Sequence, residues 1–315
     1  MTVKKSFGKN TGLVLAVIIG FIFIFSIGFM AGNKKTKTSI NPASTKTVEN
    51  KTSANNSKDG NNVTKNENQT SNTPAEKSKT TIPQGSTAPL DPNKKIAYLT
   101  FDDGPTRKIT PKVLAVLDKY NVKASFFIMG KMAEMCPDLV KEERAKGHAI
   151  VNHSYSHDYK LLYSSPTNFL NDFEKCNQIL KSILGDYNGK VIRFPGGSYG
   201  KKRAPYKQVA RNAGYTYVDW NALNGDAEHQ NVPADKLVAR VQSTTKNKNH
   251  VVILMHDAAT KSTTLEALPR IIEYLKSQGY EFATLNEEGN IPVNLPSVHT
   301  PNEKAKEVST PSKTK

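Results

Sequence analysis

Two adjacent carboxylates at the end of an apolar run are the residues best placed to do chemistry. In Ile96-Ala97-Tyr98-Leu99-Thr100-Phe101-Asp102-Asp103-Gly104-Pro105 the apolar stretch reads as a strand. The Gly-Pro then turns the chain away and leaves Asp102 and Asp103 side by side. Like charges at that spacing are costly unless a cation or a proton lies between them. Further along, Asn152-His153-Ser154-Tyr155-Ser156-His157 holds two histidines four apart, a spacing that predicts both on one face of a helical turn, as metal ligands often are. One Asp with two His leaves a coordination position open, the arrangement of a catalytic zinc site rather than a structural one.

Three more segments end apolar strands in polar or ionisable residues: Val191-Ile192-Arg193-Phe194-Pro195-Gly196-Gly197-Ser198, Thr216-Tyr217-Val218-Asp219-Trp220 and Val251-Val252-Ile253-Leu254-Met255-His256-Asp257. Parallel α/β barrels build active sites in this way, at the C-terminal ends of their strands. Each motif alone has an ordinary structural explanation: Asp-Asp-Gly-Pro is a common turn, and a lone arginine is usually a surface charge. Together and in this order, TFDDGP, HSYSH, RFPGGS, VDW and LMH resemble the five motifs of the polysaccharide deacetylases (carbohydrate esterase family 4, the NodB-homology domain), over about residues 94–289.

The resemblance implies a role for each residue. Asp103, His153 and His157 would bind a divalent metal. Zinc is the first expectation, and cobalt, nickel or iron would accept the same donors. Asp102 would be the general base for the attacking water, and Arg193 would pair with it and keep it ionised. His256 would protonate the leaving amine, with Asp219 orienting it and raising its pKa. A backbone N–H at Gly196, beside Pro195, would receive the oxyanion, and Trp220 and Leu254 would wall the pocket. One position departs from the family pattern: the aromatic residue that commonly follows the Arg-x-Pro motif is replaced by Gly196. The missing ring predicts a more open groove, able to take a bulkier sugar such as a lactyl-substituted N-acetylmuramate. His148, His229 and His250 receive no role, and neither do Cys136 and Cys176, which the sequence leaves as a disulfide or two free thiols.

The elements that position these residues alternate. Strands are expected to end at Asp103 and to cover 124–129, 148–152, 191–194, 215–219, 251–256 and 281–284. Helices are expected over 111–120, 138–146, 166–184, 205–213, 233–243 and 265–278. Alternation of this kind implies a parallel sheet covered by helices. Seven strands are too few for an eight-fold barrel; the periodicity fits an open doubly wound sheet as well, and the resemblance implies a distorted (β/α)7 barrel over residues 94–290.

The ends of the chain carry a different signal. Residues 11–32 are apolar and uncharged, long enough to span a hydrocarbon core of about 30 Å, and lysines precede them. The expectation is one transmembrane anchor, with residues 1–10 cytoplasmic and the catalytic domain outside; cleavage of the run as a signal peptide is the alternative. Residues 33–93 and 291–315 are rich in Thr, Ser, Asn, Lys and Pro and are expected to be a disordered linker and tail. The net charge of +16 is spread along the chain without a basic helix or aromatic-interleaved patch, which argues against nucleic acid and for an anionic wall or lipid surface. The expectation is a membrane-anchored, metal-dependent deacetylase whose partner is cell-wall glycan, peptidoglycan first, with no protein partner. A deacetylase of chitin-like glycan, an O-acetyl xylan esterase and a non-catalytic glycan-binding module are the alternatives.

Overall fold

The computed structural model describes residues 88–292 and 294–301. The predicted anchor at 11–32, most of the predicted linker and the end of the predicted tail lie outside these residues. Among the described residues no helix is long and apolar enough to cross a membrane.

The sheet is built around β1 (Ile96–Asp102), β2 (Ser125–Ile128), β3 (Ala149–Asn152), β4 (Val191–Ile192), β5 (Thr216–Val218), β6 (Ala222–Leu223), β7 (His250–His256), β8 (Glu281–Ala283) and β9 (Val298–His299). Its order is β6-β7-β1-β2-β3-β4-β5-β9, with β8 also on β1. Every pairing is parallel except β9 on β5. Strand β1 pairs with β7 along its whole length. Its other edge is shared, with β8 on Ile96–Tyr98 and β2 on Thr100–Asp102. The sheet must curl. The chain passes from Val218 to Ala222, a reach of at most about 14 Å, although β5 and β6 lie six strand spacings apart, which is about 29 Å if flat. The alternation of elements implied a parallel sheet covered by helices, and the curled, half-barrel form is the one that the resemblance implied.

Because both faces of the sheet are covered, its strands read as continuous apolar runs. Side chains alternate along β1. Ala97, Leu99 and Phe101 pack outward with Val251, Ile253 and Met255 of β7, against helices that include α1 (Thr110–Tyr120) and, later in the chain, α7 (Ala234–Thr245) and α8 (Ser262–Ser277). Ile96 and Tyr98 point the other way, into a second cluster with Phe127, Val151, Val218 and Val252. Asp102 shares their parity, so β1 carries it on the inner face. Between β2 and β3 lie α2 (Gly130–Met135) and α3 (Pro137–Ala145). Between β3 and β4 lie α4 (Tyr159–Leu162) and α5 (Pro166–Leu184), and α6 (Ala204–Asn212) follows β4. Helix α5 shows why the sequence was readable: Ser165 caps its first turn, Pro166 fixes the next φ, and Phe169, Phe173, Cys176 and Leu180 recur on one buried face. Cys136 and Cys176 are free, buried thiols.

The structure corrects the expected ends of the domain. Residues 291–292 and 294–301 are not a structureless tail: Ile291 and Leu295 are 2% and 4% exposed, in the inner cluster, and β9 pairs with β5. Leu90, placed in the linker by composition, is buried in the same cluster, and its backbone N–H and carbonyl bond the Asn294 side chain at 2.7 and 2.9 Å. A few apolar side chains in polar segments were too weak a signal to see by composition.

Candidate active site and metal centre

Consecutive strand residues face opposite ways, so Asp102 and Asp103 can enter one cavity only if the second leaves extended geometry. Asp103 does so, with φ 74°. Its Oδ1 then lies 3.6 Å from His153 Nε2 and 3.5 Å from His157 Nε2.

The two histidines are held by a loop, not by the helical turn that their spacing predicted. Ser154 and His157 have φ of 73° and 52°, and the loop is closed by side-chain bonds instead of a helical ladder. Asn152 Oδ1 accepts from the Ser154 N–H, Ser154 Oγ accepts from the His157 N–H, and Asp172 Oδ1 accepts from the Tyr155 and Ser156 N–H groups. Asn, Ser and Asp compete with helix formation in this way. Three left-handed, non-glycine residues in one site mark backbone strain of about 1–3 kcal/mol each, which the surrounding bonds must offset.

These residues fit a metal. Tetrahedral ligand atoms at zinc distances stand about 3.4 Å apart, close to the separations in this site. Asp103 Oδ1 is buried, has no hydrogen-bond partner among the described residues, and stands beside both imidazoles as an acceptor left for another group. His153 Nδ1 lies 2.9 Å from the Arg193 carbonyl, which can only accept. The proton is therefore on Nδ1, and the Nε2 lone pair faces the cavity. Burial, helped by neighbouring His157, pushes His153 down to about 3, so it is neutral at physiological pH as a ligand must be.

Arg193 is fully buried inside the barrel and ties the other motifs together. Nη1 donates to Asp102 Oδ1 at 2.7 Å and to Thr100 Oγ1 at 2.9 Å, Nε to the Val218 carbonyl and Nη2 to the Asp219 carbonyl. Its guanidinium lies 3.8 Å from the centre of the Phe127 ring and 5.8 Å from that of Trp220. The predicted pairing with Asp102 is present. Burial nonetheless raises the Asp102 pKa, and Arg193 only opposes it, so Asp102 is a stronger base than an exposed carboxylate. Asp102 Oδ2 stands 3.6 Å from His153 Nε2, on the same cavity as Asp103.

His256 lies on β7 in register with Asp102. The expected partner of His256 is corrected: Asp219 does not touch it. Asp226 does, with Oδ1 2.7 Å from His256 Nδ1 and Oδ2 accepting from the His256 N–H at 2.9 Å and from Thr264 Oγ1 at 2.7 Å. Burial opposes a charge on His256, but Asp226 first, then Asp103 and Asp102, outweigh it and raise its pKa to about 9. The sequence hides this pairing because β6 is only two residues long and invisible to periodicity. It carries the chain past β7 and brings the following Asn-Gly-Asp turn onto His256.

Asp219 instead holds the third motif. It accepts from the Ser198 N–H at 2.9 Å and from Ser198 Oγ at 2.5 Å, and His299 Nε2 of β9 stands 3.6 Å away. Burial opposes its charge, but His299 and Ser198 outweigh that and hold its pKa below the usual carboxylate range. The turn that Asp219 fixes is Pro195-Gly196-Gly197. Gly196 has φ 76° and is exposed, and the internal bonds run from Gly197 N–H to the Phe194 carbonyl and from Tyr163 Oη to the Pro195 carbonyl. The Gly196 N–H therefore remains outside those bonds. Trp220 and Leu254 are half-buried. Gly104 answers to space: a Cβ there would lie 2.3 Å from Asp257 Oδ2, a carboxyl that burial pushes up to about 7. His148 is a core residue, its Nδ1 accepting from the Ala124 N–H, and stays roleless.

A sequence profile of the family described as polysaccharide deacetylase matches residues 90–218. A peptidoglycan-N-acetylglucosamine deacetylase of Bacillus cereus is 35% identical over 205 residues, 64% of this chain and 73% of that protein. The catalytic domain of a peptidoglycan N-acetylglucosamine deacetylase from Eubacterium rectale is similar in structure, with a TM-score of 0.58 and 35% identity, over 66% of this chain and 96% of that one. A CE4 esterase from Streptococcus mutans gives 0.57 and 36%, over 62% and 87%.

Proposed function

The chain belongs to the polysaccharide deacetylase family and is a hydrolase of amide bonds, and from this premise we propose that it is a metal-dependent N-deacetylase of peptidoglycan amino sugars, releasing acetate. The observation that carries the reading is the convergence of Asp103 Oδ1, His153 Nε2 and His157 Nε2, with Asp102 beside them. The names of the Bacillus cereus and Eubacterium rectale relatives support the substrate class.

Asp103, His153 and His157 would hold the ion, zinc by donor type. When bound, it supplies Lewis acidity for the acetyl carbonyl and for a water nucleophile near neutral pH. Asp102, fixed by Arg193, removes the proton of the attacking water. The Gly196 N–H, presented by the turn that Asp219 braces, receives the oxyanion. His256, charged through Asp226, gives its proton to the sugar nitrogen as the C–N bond breaks, so water and amide become acetate and amine. Trp220 and Leu254 flank the acetyl methyl. Residues 11–32 would hold this domain at the outer face of the membrane.

Acetate release from intact peptidoglycan, compared with chitooligosaccharides and acetylated xylan, tests the substrate. A higher kcat/KM on peptidoglycan is expected. Preference for xylan would replace the amide reading with an ester one, and binding without acetate release from any of the three would favour a glycan-binding module.

A further inference from the structure

The space opened by Gly196 is filled from elsewhere in the chain. A Cβ at Gly196 would lie 2.9 Å from Tyr159 Oη and 3.1 Å from Tyr159 Cε1. Tyr159 begins α4, just after the histidine loop, and its ring meets that of His157 edge-on at 5.4 Å. It is 49% exposed, too open for a core residue. Glycine at 196 and tyrosine at 159 thus form one device, in which the groove wall is supplied by α4. A second exposed ring, Tyr199, stands over Gly197 and packs edge-on to Trp220.

Behind Tyr159 stands a cation. The Tyr159 and Tyr163 rings are 5.9 Å apart, and the Arg203 guanidinium lies 3.2 Å from the centre of the Tyr163 ring. Tyr163 is itself pinned, its hydroxyl on the Pro195 carbonyl. Arg203 is half-exposed and closes a short basic turn, Lys201-Lys202-Arg203. Every other described arginine donates from its side chain to a protein oxygen. Among the described residues Arg203 has no ion pair and no side-chain hydrogen bond. It is a planar fork whose central carbon stands over the Tyr163 ring, the ring that neighbours Tyr159, and among the described residues its side-chain N–H groups are unspent. A stacked guanidinium of this kind suits a carboxylate, which it can bind through two parallel bonds.

We propose that Arg203, with Tyr159 as the platform beneath the sugar, selects glycan bearing a carboxylate substituent over neutral N-acetylhexosamine chains. The proposal rests on the deacetylase reading above and deepens it. The carboxylate can come from a free lactyl ether on the sugar or from a peptide stem joined to it.

The test compares the full-length, metal-loaded protein with Arg203→Gln and Arg203→Lys on three substrates: N-acetylglucosamine oligomers, peptidoglycan strands stripped of stems, and intact peptidoglycan. Arg203→Gln should lose about tenfold in kcat/KM on a carboxylate-bearing glycan, the range for a charge-assisted bond at a half-exposed site. It should change little on the neutral oligomer, and Arg203→Lys should recover part of the loss. A loss on stripped strands assigns the lactyl carboxylate, and a loss confined to intact peptidoglycan assigns the stem. Equal losses on neutral and anionic glycan, or no loss on either, overturn the proposal. Calorimetric binding of the same glycans gives a readout independent of turnover. If acetate is released from none of them, the deacetylase reading fails, while a selective binding loss in Arg203→Gln still supports the carboxylate site and an unselective one still overturns it.

Discussion

At the scale of single residues, the site depends on two histidines driven in opposite directions by their surroundings. His153 is pushed down to about 3 by burial, and His256 is raised to about 9 by Asp226, Asp103 and Asp102 against the effect of burial. One is therefore a neutral donor, and the other a charged acid, at the same pH. Asp226→Asn removes the carboxylate that raises His256. Its pKa should fall, and the high-pH limb of the kcat/KM profile should move downward with it. Asp219→Asn should leave that limb in place, because Asp219 touches Ser198 and not His256. A limb that moves in Asp219→Asn and not in Asp226→Asn would make Asp219 the partner of His256. The same pair bears on folding. The folded pKa of His256 lies above its unfolded value of about 6.5, so the stabilisation is complete below that pH and is lost as pH rises through about 9. Thermal unfolding should show a steeper loss of Tm over that window in the wild type than in Asp226→Asn.

At the scale of elements, most of the fold was legible because the long elements announce themselves. Ser165-Pro166 and the buried stripe of Phe169, Phe173, Cys176 and Leu180 left little choice but a helix, and the seven-residue β1 and β7 left little choice but central strands. What failed was short or side-chain-directed. Strands β6 and β9 have two residues each, too few for a period. The spacing of His153 and His157 matched a helix, but Asn152, Ser154 and Asp172 spend their oxygens on the backbone and hold a loop instead. The convergence of Asp103, His153 and His157 was legible from residue type and order, whereas the partner of His256 required the register of β6 on β7. Asp172 makes this testable. Removing its carboxylate in Asp172→Ala frees the Tyr155 and Ser156 N–H groups and loosens the loop between the two ligands. Metal affinity should fall by about 10–100-fold, as for other residues that orient ligands, and chelator competition measures it. Unchanged affinity would mean that the loop is held without Asp172.

At the scale of the whole molecule, the domain takes in described residues on either side of 94–290. Ile291 and Leu295 fill the inner cluster beside Leu90, each burial worth about 1.5–3 kcal/mol, and β9 carries His299 to Asp219. A chain ending at Asn290 should therefore unfold at a Tm several degrees lower, and an unchanged Tm would show that these contacts contribute nothing. The proposed anchor predicts that the mature protein sediments with membranes. A soluble extracellular form starting near residue 32 would instead establish cleavage. The central claim is that Asp103, His153 and His157 hold a catalytic metal, and metal content measured alongside acetate release tests it most directly. The purified protein should contain about one divalent ion per chain, lose the ion and its activity together on chelation, and regain both on adding zinc. His153→Ala should contain no ion and release no acetate, and Asp102→Asn should keep the ion while losing most of its activity. Full acetate release from metal-free protein would contradict the account.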